Sequence, residues 1–148
     1  MHKEPPKALI EAVNAYKNYL ERLSQRRVAL ESKHMQDGVS FKDPFYVQAT
    51  LDQRKQLLQI LCASSDNLKI SISDILYSPT NEAKVYFKWH VQLHKDMPAL
   101  EGMSELIFDH NHMIVAQDDY WDSASTIWAA HPLMRWLFKK GRKRIFGH

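Results

Sequence analysis

Histidines are the first residues to weigh, because a neutral imidazole is the commonest metal ligand in proteins. The chain has eight, and two pairs are close in sequence: His90 with His94, and His110 with His112. His90 and His94 belong to a segment predicted as a strand, where a rise of ~3.3 Å per residue separates them by about 13 Å. One ion cannot bridge that distance, and the second pair lies in a predicted turn. We therefore expect no metal and no cofactor.

Two adjacent carboxylates, Asp118 and Asp119, are the next candidates, because a carboxylate at the rim of an apolar pocket can act as a general acid or base. They lie near the end of the last predicted strand. Successive side chains of a strand point to opposite faces, so only one of the two can point into the interior. The sequence contains no Gly-rich phosphate loop, no zinc-ligand spacing and no nucleophile elbow. It therefore offers no motif for nucleotide, zinc or serine-nucleophile chemistry.

The composition is that of one ordinary globular domain. At 148 residues, 45% of them hydrophobic and 25% charged, the chain is long enough to bury a core. No apolar run reaches the ~18 residues that span a bilayer, and the first six residues lack the apolar core of a signal peptide. The single cysteine, Cys62, lies among Leu58, Ile60 and Leu61. We expect it to be an inert packing residue in a reducing, cytoplasmic setting.

A long alternating strand organises the middle of the chain. From Val85 to Leu93 every second residue is apolar, which is typical of a strand with one buried face. Segments 103–108 and 113–121 are predicted as two further strands, joined by a tight reversal at 109–112. Three consecutive strands with short connections predict an antiparallel meander.

The helices that could cover this sheet lie mostly upstream. Apolar residues spaced by 4, 3, 4 and 3 predict a first helix over 7–22. A shorter helix is predicted to end at Asp37-Gly38, and Val39–Phe45 is predicted to form a short strand halted by a proline. A Thr-x-x-Gln capping box opens a third helix at Thr50, and residues 68–77 alternate as another strand. Helices segregated from strands predict an α+β fold.

Element order and two short motifs together give a family resemblance. Phe41–Phe45 reads Phe-Lys-Asp-Pro-Phe, and Asp119–Asp122 reads Asp-Tyr-Trp-Asp. Over residues 7–131 the chain resembles the nuclear transport factor 2-like superfamily, in particular its SnoaL-like and ketosteroid isomerase branches. The resemblance implies a cone, in which a curved antiparallel sheet is wrapped by N-terminal helices around an apolar pocket. It also implies homodimers formed through the outer sheet face.

The functions within this superfamily are diverse. Isomerases, cyclases, epoxide hydrolases, dehydratases and binding modules without chemistry share the fold, so the fold alone does not name the function.

The resemblance also suggests roles for individual residues. Asp43 matches the carboxylate that shuttles protons in ketosteroid isomerases, and Tyr19, 24 residues earlier, matches their phenol. Asp119 is favoured as the inward-facing acid, so that Asp43 and Asp119 could form an acid–base pair. Structural alternatives stay open: Asp43 accepting backbone N–H bonds, Tyr19 in the core, and Asp119 anchoring a backbone or indole N–H. Ser104 or Met103 stands where those isomerases have a second proton donor, which counts against that activity in particular.

We therefore expect a protein that binds a small hydrophobic ligand, with catalytic activity undetermined. One alternative is an enzyme of proton transfer or hydration, such as an isomerase, hydratase, dehydratase or hydrolase. It would use Asp43 and Asp119 as acid and base, together with Tyr19. Another is a peripheral-membrane accessory protein. The residues predicted to line the pocket are Tyr16, Tyr19, Phe41, Phe87, Trp89, Ser104, Phe108 and Trp121.

The single domain is predicted to consist of a core, 7–131, and a basic amphipathic tail, 132–148. Residues 123–130 are predicted to be helical, with a helix restarting at Pro132. No Asp or Glu follows Asp122, but the tail has six cations: Arg135, Lys139, Lys140, Arg142, Lys143 and Arg144. Apolar side chains beside cations suit an anionic membrane surface, whereas nucleic acid is less favoured. Alternatively, the tail helix covers the cone mouth or a partner subunit while its cations stay in water.

Overall fold

A computed structural model describes residues 3–44, 46–96, 99–122 and 132–147, and describes only the backbone at 46–47, 132–135 and 137–138. The elements of this part are, in chain order, α1 (Lys7–Glu21), a 3-10 helix (Val28–His34), β1 (Met35–Asp43), β2 (Tyr46–Ala49), α2 (Leu51–Ser64), β3 (Lys69–Tyr77), β4 (Lys84–Gln92), β5 (Leu100–Phe108), β6 (Ile114–Trp121) and α3 (Pro132–Phe146). Helices and the main strands are segregated along the chain, which confirms the α+β class.

One curved, open sheet contains all six strands, in the order β2-β1-β6-β5-β4-β3. Strands β4 to β6 form the predicted antiparallel meander, and β3 extends it by pairing with β4. The meander does not account for the whole sheet, because β1 joins β6 in parallel and β2 pairs with β1 in antiparallel fashion. Register shifts occur in four of the five strand pairs, and such irregularities bend and twist strands.

The predicted second helix is shorter than expected, and β1 is longer. The helical segment ends at His34, and Met35 already pairs with Ile114 of β6. Asp37-Gly38 therefore lies within β1 instead of ending a helix. Pairing with β6 and burial of Met35 and Val39 outweigh the local turn signal, because tertiary contacts routinely override propensity. By contrast, the capping box is confirmed: Thr50 Oγ1 accepts from the Gln53 N–H and Gln53 Oε1 accepts from the Thr50 N–H.

Helix α1 covers one half of the inner sheet face and fills it with aromatic side chains. Tyr16 is fully buried and stacks on Tyr19 and Phe87, with ring centroids 5.9 and 6.0 Å apart. Phe41 and Leu106 in the sheet are also fully buried in this cluster. The side chains of α1 and the sheet therefore form a closely packed core beneath this helix.

Two wider expectations concern membrane spans and oligomeric state. In the described ranges, no helix combines the length and apolarity needed to cross a bilayer. The homodimer stays a prediction, although Leu76, Met103 and Tyr120 on the strands are 55%, 42% and 57% exposed. The helix predicted over 123–130 lies outside the described residues.

Candidate active site

The other half of the inner face encloses a cavity of about 170 Å³. Most of its wall is aliphatic or aromatic. The apolar residues that line it are Leu20, Leu23, Leu57, Leu58, Leu61, Ile70, Ile72, Trp89, Val91, Leu93, Leu100, Trp121 and Phe146. The polar residues that line it are Asp43, Arg54, Ser104, Gln117, Asp119 and Arg142. Such a wall, mostly apolar with a few polar groups, is typical of small-molecule sites.

The cavity begins where the core ends, along the same strands. On β4, Val85 and Phe87 belong to the core, and Trp89 and Val91, farther along the same face, line the cavity. Alternate residues of a strand share a face, so the sequence of β4 itself passes from core to cavity. Strand β1 does the same, because Phe41 is in the core and Asp43 lines the cavity.

Asp119 is the centre of the polar part of the wall. Its Oδ1 accepts from Ser104 Oγ at 2.5 Å and from Gln117 Nε2 at 2.9 Å. Its Oδ2 accepts from Arg54 Nη1 at 3.1 Å. We call these four residues, Arg54, Ser104, Gln117 and Asp119, the polar cluster. Three donors from α2, β5 and β6 thus fix the orientation of one carboxylate that lines the cavity.

Arg54 links the cavity to a carboxylate buried behind it. Its Nε lies 3.3 Å from Glu31 Oε1, while Nη1 reaches Asp119, so one guanidinium bridges two carboxylates. The guanidinium also lies over the Phe41 ring, 4.9 Å from its centroid, a cation–π arrangement. A planar guanidinium can hold several partners in fixed geometry. Arg54 therefore ties the 3-10 segment, β1 and β6 together.

Glu31 and Tyr16 extend this network into the core. Glu31 is fully buried, and burial raises the pKa of its carboxyl above the ordinary value despite the opposing charge of Arg54. The Tyr16 hydroxyl lies 3.4 Å from Glu31 Oε1 and donates to Gln117 Oε1 at 2.7 Å. Burial, followed by the negative charge of Glu31, raises the pKa of Tyr16 well above its ordinary value. The phenol is therefore a neutral donor that orients Gln117.

Asp43 lies beside Asp119 at the cavity wall. The two residues follow Lys42 and Asp118, which are paired across the parallel strands β1 and β6. Adjacent strands are ~4.8 Å apart, so both side chains start from neighbouring positions. Asp43 Oδ2 accepts from Trp121 Nε1 at 3.2 Å. The cavity therefore has two adjacent carboxylates, each with identified side-chain donors.

Trp89 needs a glycine opposite it. Gly102 pairs with Trp89 in the sheet, and a Cβ added to Gly102 would overlap the indole ring and approach the Tyr120 carbonyl to 2.7 Å. With only hydrogen at that position, the indole lies over the strand and its Nε1 donates to Ser104 Oγ at 3.0 Å. Gly102 thus determines where Trp89 stands, and Trp89 in turn holds Ser104 toward Asp119.

Helix α3 closes part of the cavity. Gly141 of α3 is buried against α2. A Cβ added to Gly141 would lie 3.5 Å from the Ile60 side chain and 3.8 Å from the Leu57 side chain. Arg142 and Phe146, on the same helix, line the cavity. This arrangement agrees with the alternative in which the tail covers the cone mouth.

The residues predicted for the site fall into two groups. Asp43, Trp89, Ser104, Asp119 and Trp121 line the cavity. The remaining predicted residues are buried in the core cluster and are not among the described residues that line the cavity: Tyr16, Tyr19, Phe41, Phe87 and Phe108. Large aromatic rings on the covered half of the sheet fill space instead of enclosing it.

Tyr19 illustrates the core placement. Its side chain is 2% exposed, and burial raises the pKa of its phenol. The buried hydroxyl has no hydrogen-bond partner in the described residues. It stacks on Tyr16 and does not line the cavity beside Asp43, so the expected phenol–carboxylate pair is not formed across the cavity.

Sequence reasoning missed Arg54, Glu31 and Gln117. For Arg54 a signal existed, since it follows Leu51 by three residues and precedes Leu58 by four, on the apolar stripe of α2. For Gln117 a signal also existed, because alternation along the strand places it on the same face as Asp119. Glu31 gave no signal, because the irregular 3-10 segment has no simple periodicity.

His90 and His94 contact different carboxylates in the structure. His90 Nδ1 lies 3.1 Å from Glu101, and His94 Nδ1 lies 2.8 Å from Asp66. In the ranges that the structure describes, no three His, Cys, Asp or Glu side chains are grouped to hold a metal ion.

No protein-family model matches the chain, and no curated protein matches its sequence. Solved structures do match its fold. A steroid delta-isomerase from Pseudomonas aeruginosa has a TM-score of 0.70 with 11% identity, covering 97% of this chain and 98% of that one. An LEH-like epoxide hydrolase from M. tuberculosis has a TM-score of 0.62 with 14% identity, covering 93% and 96%.

A third match names the fold directly. An NTF2-like protein of unknown function from Exiguobacterium sp. 255-15 has a TM-score of 0.62 with 16% identity, covering 75% of this chain and 98% of that one. At these identities the likeness shows the fold and no activity. The predicted resemblance to nuclear transport factor 2-like proteins is confirmed at that level.

Proposed function

We propose, taking the NTF2-like cone fold of this chain as the premise, that the protein binds a small apolar molecule carrying one polar group. The apolar body lies in the cavity and the polar group lies against the polar cluster. One observation carries this proposal: in a mostly apolar cavity, four of the six polar lining residues are joined by hydrogen bonds around Asp119.

The cavity volume limits the size of the ligand. An engineered apolar cavity of about 150 Å³ takes up benzene, and the cavity here measures about 170 Å³. A single ring with one or two substituents matches this space. Because the cavity is partly open, a longer molecule would extend through the mouth, past Arg142 and Phe146 of α3.

Asp119 determines which polar group suits the site. An ionised carboxylate has about four acceptor positions, and three are used by Arg54, Ser104 and Gln117. A further acceptor position accommodates a hydroxyl or amine donor of the ligand. Donation to a charged group contributes about 1.5–3 kcal/mol, which exceeds what a methyl group in its place would gain.

Binding of two matched probes tests this arrangement. 4-Methylphenol and toluene differ by one hydroxyl, and their dissociation constants can be measured by ligand-observed NMR. We expect 4-methylphenol to bind about tenfold tighter, and Asp119→Asn to remove most of that advantage while toluene binding changes little. Equal binding of the two probes by the wild type, or an advantage that Asp119→Asn retains, would contradict the placement of the polar group.

Filling the cavity tests the apolar part separately. Leu61 lines the cavity and is half-buried, so Leu61→Trp is expected to block both probes. The matched control is Leu76→Trp, at a position 55% exposed on β3 and outside this cavity. If Leu61→Trp binds both probes as the wild type does, the ligand does not occupy this cavity.

A second function, hydration of a small apolar epoxide, is favoured by the two adjacent carboxylates at the cavity. One carboxylate takes a proton from water as the water oxygen bonds to an epoxide carbon and the carbon–oxygen bond breaks. The other carboxyl group gives a proton to the resulting alkoxide, so water and epoxide yield a diol. The proposal is supported by Asp43 and Asp119, which both line the cavity and follow the paired residues Lys42 and Asp118. It is also supported by the fold shared with the LEH-like epoxide hydrolase.

Isomerisation of a ketosteroid is less favoured by the same geometry. It requires hydroxyl or acid donors aimed at a substrate oxygen. Ser104 Oγ donates to Asp119, and the Tyr16 hydroxyl donates to Gln117. Both donors are therefore already used within the protein.

Styrene oxide tests the hydration. We expect the wild type to form the diol faster than buffer, and Asp119→Asn and Asp43→Asn each to slow it by about 10²-fold or more, as is typical for loss of a general acid or base. The control is Asp118→Asn, on the opposite face of β6 and outside the cavity lining. If the wild type forms diol no faster than buffer does, the hydration proposal is wrong, while the binding proposal stands on the NMR result.

A further inference from the structure

The exposed side of α3 has a pattern that the cavity does not use. Lys139, Lys140, Lys143 and Arg144 follow Trp136 by three, four, seven and eight residues. At 3.6 residues per turn, these spacings place all four cations on the same side of the helix as Trp136. We call these five residues the outer face of α3.

All five residues of the outer face are exposed. Trp136 is 54% exposed, and Lys140 Nζ lies 4.7 Å from the centroid of its ring. Gly141, which points the other way, is buried on Ile60 and Leu57 of α2. The helix is therefore fixed to the molecule by one side and presents an indole surrounded by cations on the other.

No acidic residue offsets this charge within the segment, because the chain has no Asp or Glu after Asp122. An exposed tryptophan among several lysines and arginines has the chemistry of a membrane–water interface. The indole has an apolar body with one polar edge, which suits the headgroup level. The cations are attracted to anionic headgroups, each contributing about a fivefold change in binding.

We propose that the outer face of α3 docks the protein on an anionic membrane surface. Contact is peripheral, because α3 is packed on α2 at Gly141. Among the described side chains of this helix, Trp136 is the exposed aromatic one that can enter the headgroup region. Binding is therefore reversible and weakened by salt. Since Arg142 and Phe146 of the same helix line the cavity, a docked membrane lies about one helix diameter, ~10 Å, from the cavity.

Nucleic acid is the main competing occupant, because phosphates also attract lysines. The outer face favours a membrane, since it carries one indole over about two turns and no series of aromatic rings on which successive bases could stack.

Vesicle sedimentation of the full chain tests the proposal, with phosphatidylcholine vesicles containing 30% phosphatidylserine in 0.1 M NaCl. We expect sedimentation with these vesicles and none with pure phosphatidylcholine. Lys139→Gln/Lys143→Gln is expected to lower the partition coefficient about 25-fold, from two cations at about fivefold each. Trp136→Gln is expected to weaken binding at 0.1 and at 0.5 M NaCl, since its contribution does not depend on charge.

The matched control is Lys69→Gln/Lys88→Gln, which makes the same change in net charge at two exposed positions on β3 and β4. We expect it to bind as the wild type does. Equal losses in the two double variants would mean that net charge, and no particular face, drives binding, which would overturn the proposal. So would unchanged binding by Lys139→Gln/Lys143→Gln.

A 30-nucleotide oligo(dT) serves as the competing probe. If the wild type binds the oligonucleotide in 0.1 M NaCl but fails to sediment with anionic vesicles, the outer face binds nucleic acid and the membrane proposal is wrong. Neither result depends on the 4-methylphenol titration, so docking and ligand binding succeed or fail separately.

Discussion

On the inner sheet face, the same strands form a packed core in one half and a cavity in the other. Under α1, the sheet presents Phe41, Phe87 and Leu106, all fully buried against Tyr16. Under α2 and α3, the same strands enclose a cavity of about 170 Å³. The strand that contains Phe87 also contains Trp89, and only two positions separate core from cavity.

The covering helices explain the difference. Helix α1 contributes stacked aromatic rings, Tyr16 and Tyr19, that fill the space above the sheet. The helices over the other half contribute leucines and, at the contact of α3 with α2, a glycine at 141. Protein interiors pack at the density of organic crystals, so a void of this size indicates a site that is kept open. The polar cluster lies between this cavity and the core.

The largest expected effect on stability comes from replacing Arg54, which lies between the core and the cavity. Arg54→Met would leave Glu31 and Asp119 without the guanidinium that lies between them. Removing one partner of a buried ion pair costs about 3–5 kcal/mol of stability, which urea denaturation can measure. Arg26→Met, at an exposed position, is the control and should stay within about 0.5 kcal/mol of the wild type. A similarly small change for Arg54→Met would show that the cluster does not hold the two halves together.

A smaller effect is expected at the cavity wall. Gly102→Ala would push the Trp89 indole away from β5 and break its hydrogen bond to Ser104. Overpacking of this kind costs about 1–3 kcal/mol, and 4-methylphenol binding should weaken as well. Gly38→Ala, in β1, adds a Cβ that meets nothing within 4 Å and serves as the control. Should Gly102→Ala bind the probe as tightly as Gly38→Ala does, the position of Trp89 is unimportant for the cavity.

The smallest effect is the pH dependence of stability that Glu31 contributes from the core side of the polar cluster. Burial raises the pKa of Glu31 in the folded protein, so the folded state holds this proton more tightly than the unfolded state. The stability contributed by the protonated carboxyl is fully present below the unfolded pKa of about 4.3 and is lost as pH rises through the higher folded value. Glu31→Gln removes this dependence but keeps an acceptor for Arg54.

The free energy of unfolding of Glu31→Gln minus that of the wild type should therefore increase from pH 4 to pH 8. Denaturant titrations at the two pH values measure it, with Glu11→Gln, an exposed substitution on α1, as the control. A difference that is constant with pH, or that decreases, would show that Glu31 ionises as readily in the folded protein as in the unfolded chain.

Sequence reasoning predicted the architecture better than the site. Alternation in β4 and the capping box at Thr50 are local signals, and both predict their elements correctly. The parallel pairing of β1 with β6 joins residues about 75 positions apart in sequence, such as Lys42 and Asp118, and no local pattern shows it. That pairing also converted a predicted helix end at Asp37-Gly38 into strand.

The site was predicted in part for a related reason. Asp119 and Trp121 share a strand face, so alternation places them together. Whether Phe87 or Trp89 lines a cavity depends on which helix covers each position, and that is a tertiary property. The Glu31–Arg54–Asp119 bridge joins three separate segments, which explains why composition and spacing did not indicate it.

The most direct test of the central claim is the binding of xenon in crystals of the protein under gas pressure. Apolar cavities of this size take up xenon. We expect a xenon peak within van der Waals distance of Leu58 and Trp89 in the wild type, and none there in Leu61→Trp. Electron density that shows side chains filling this space, with no xenon between them, would contradict the claim that the protein holds an apolar guest.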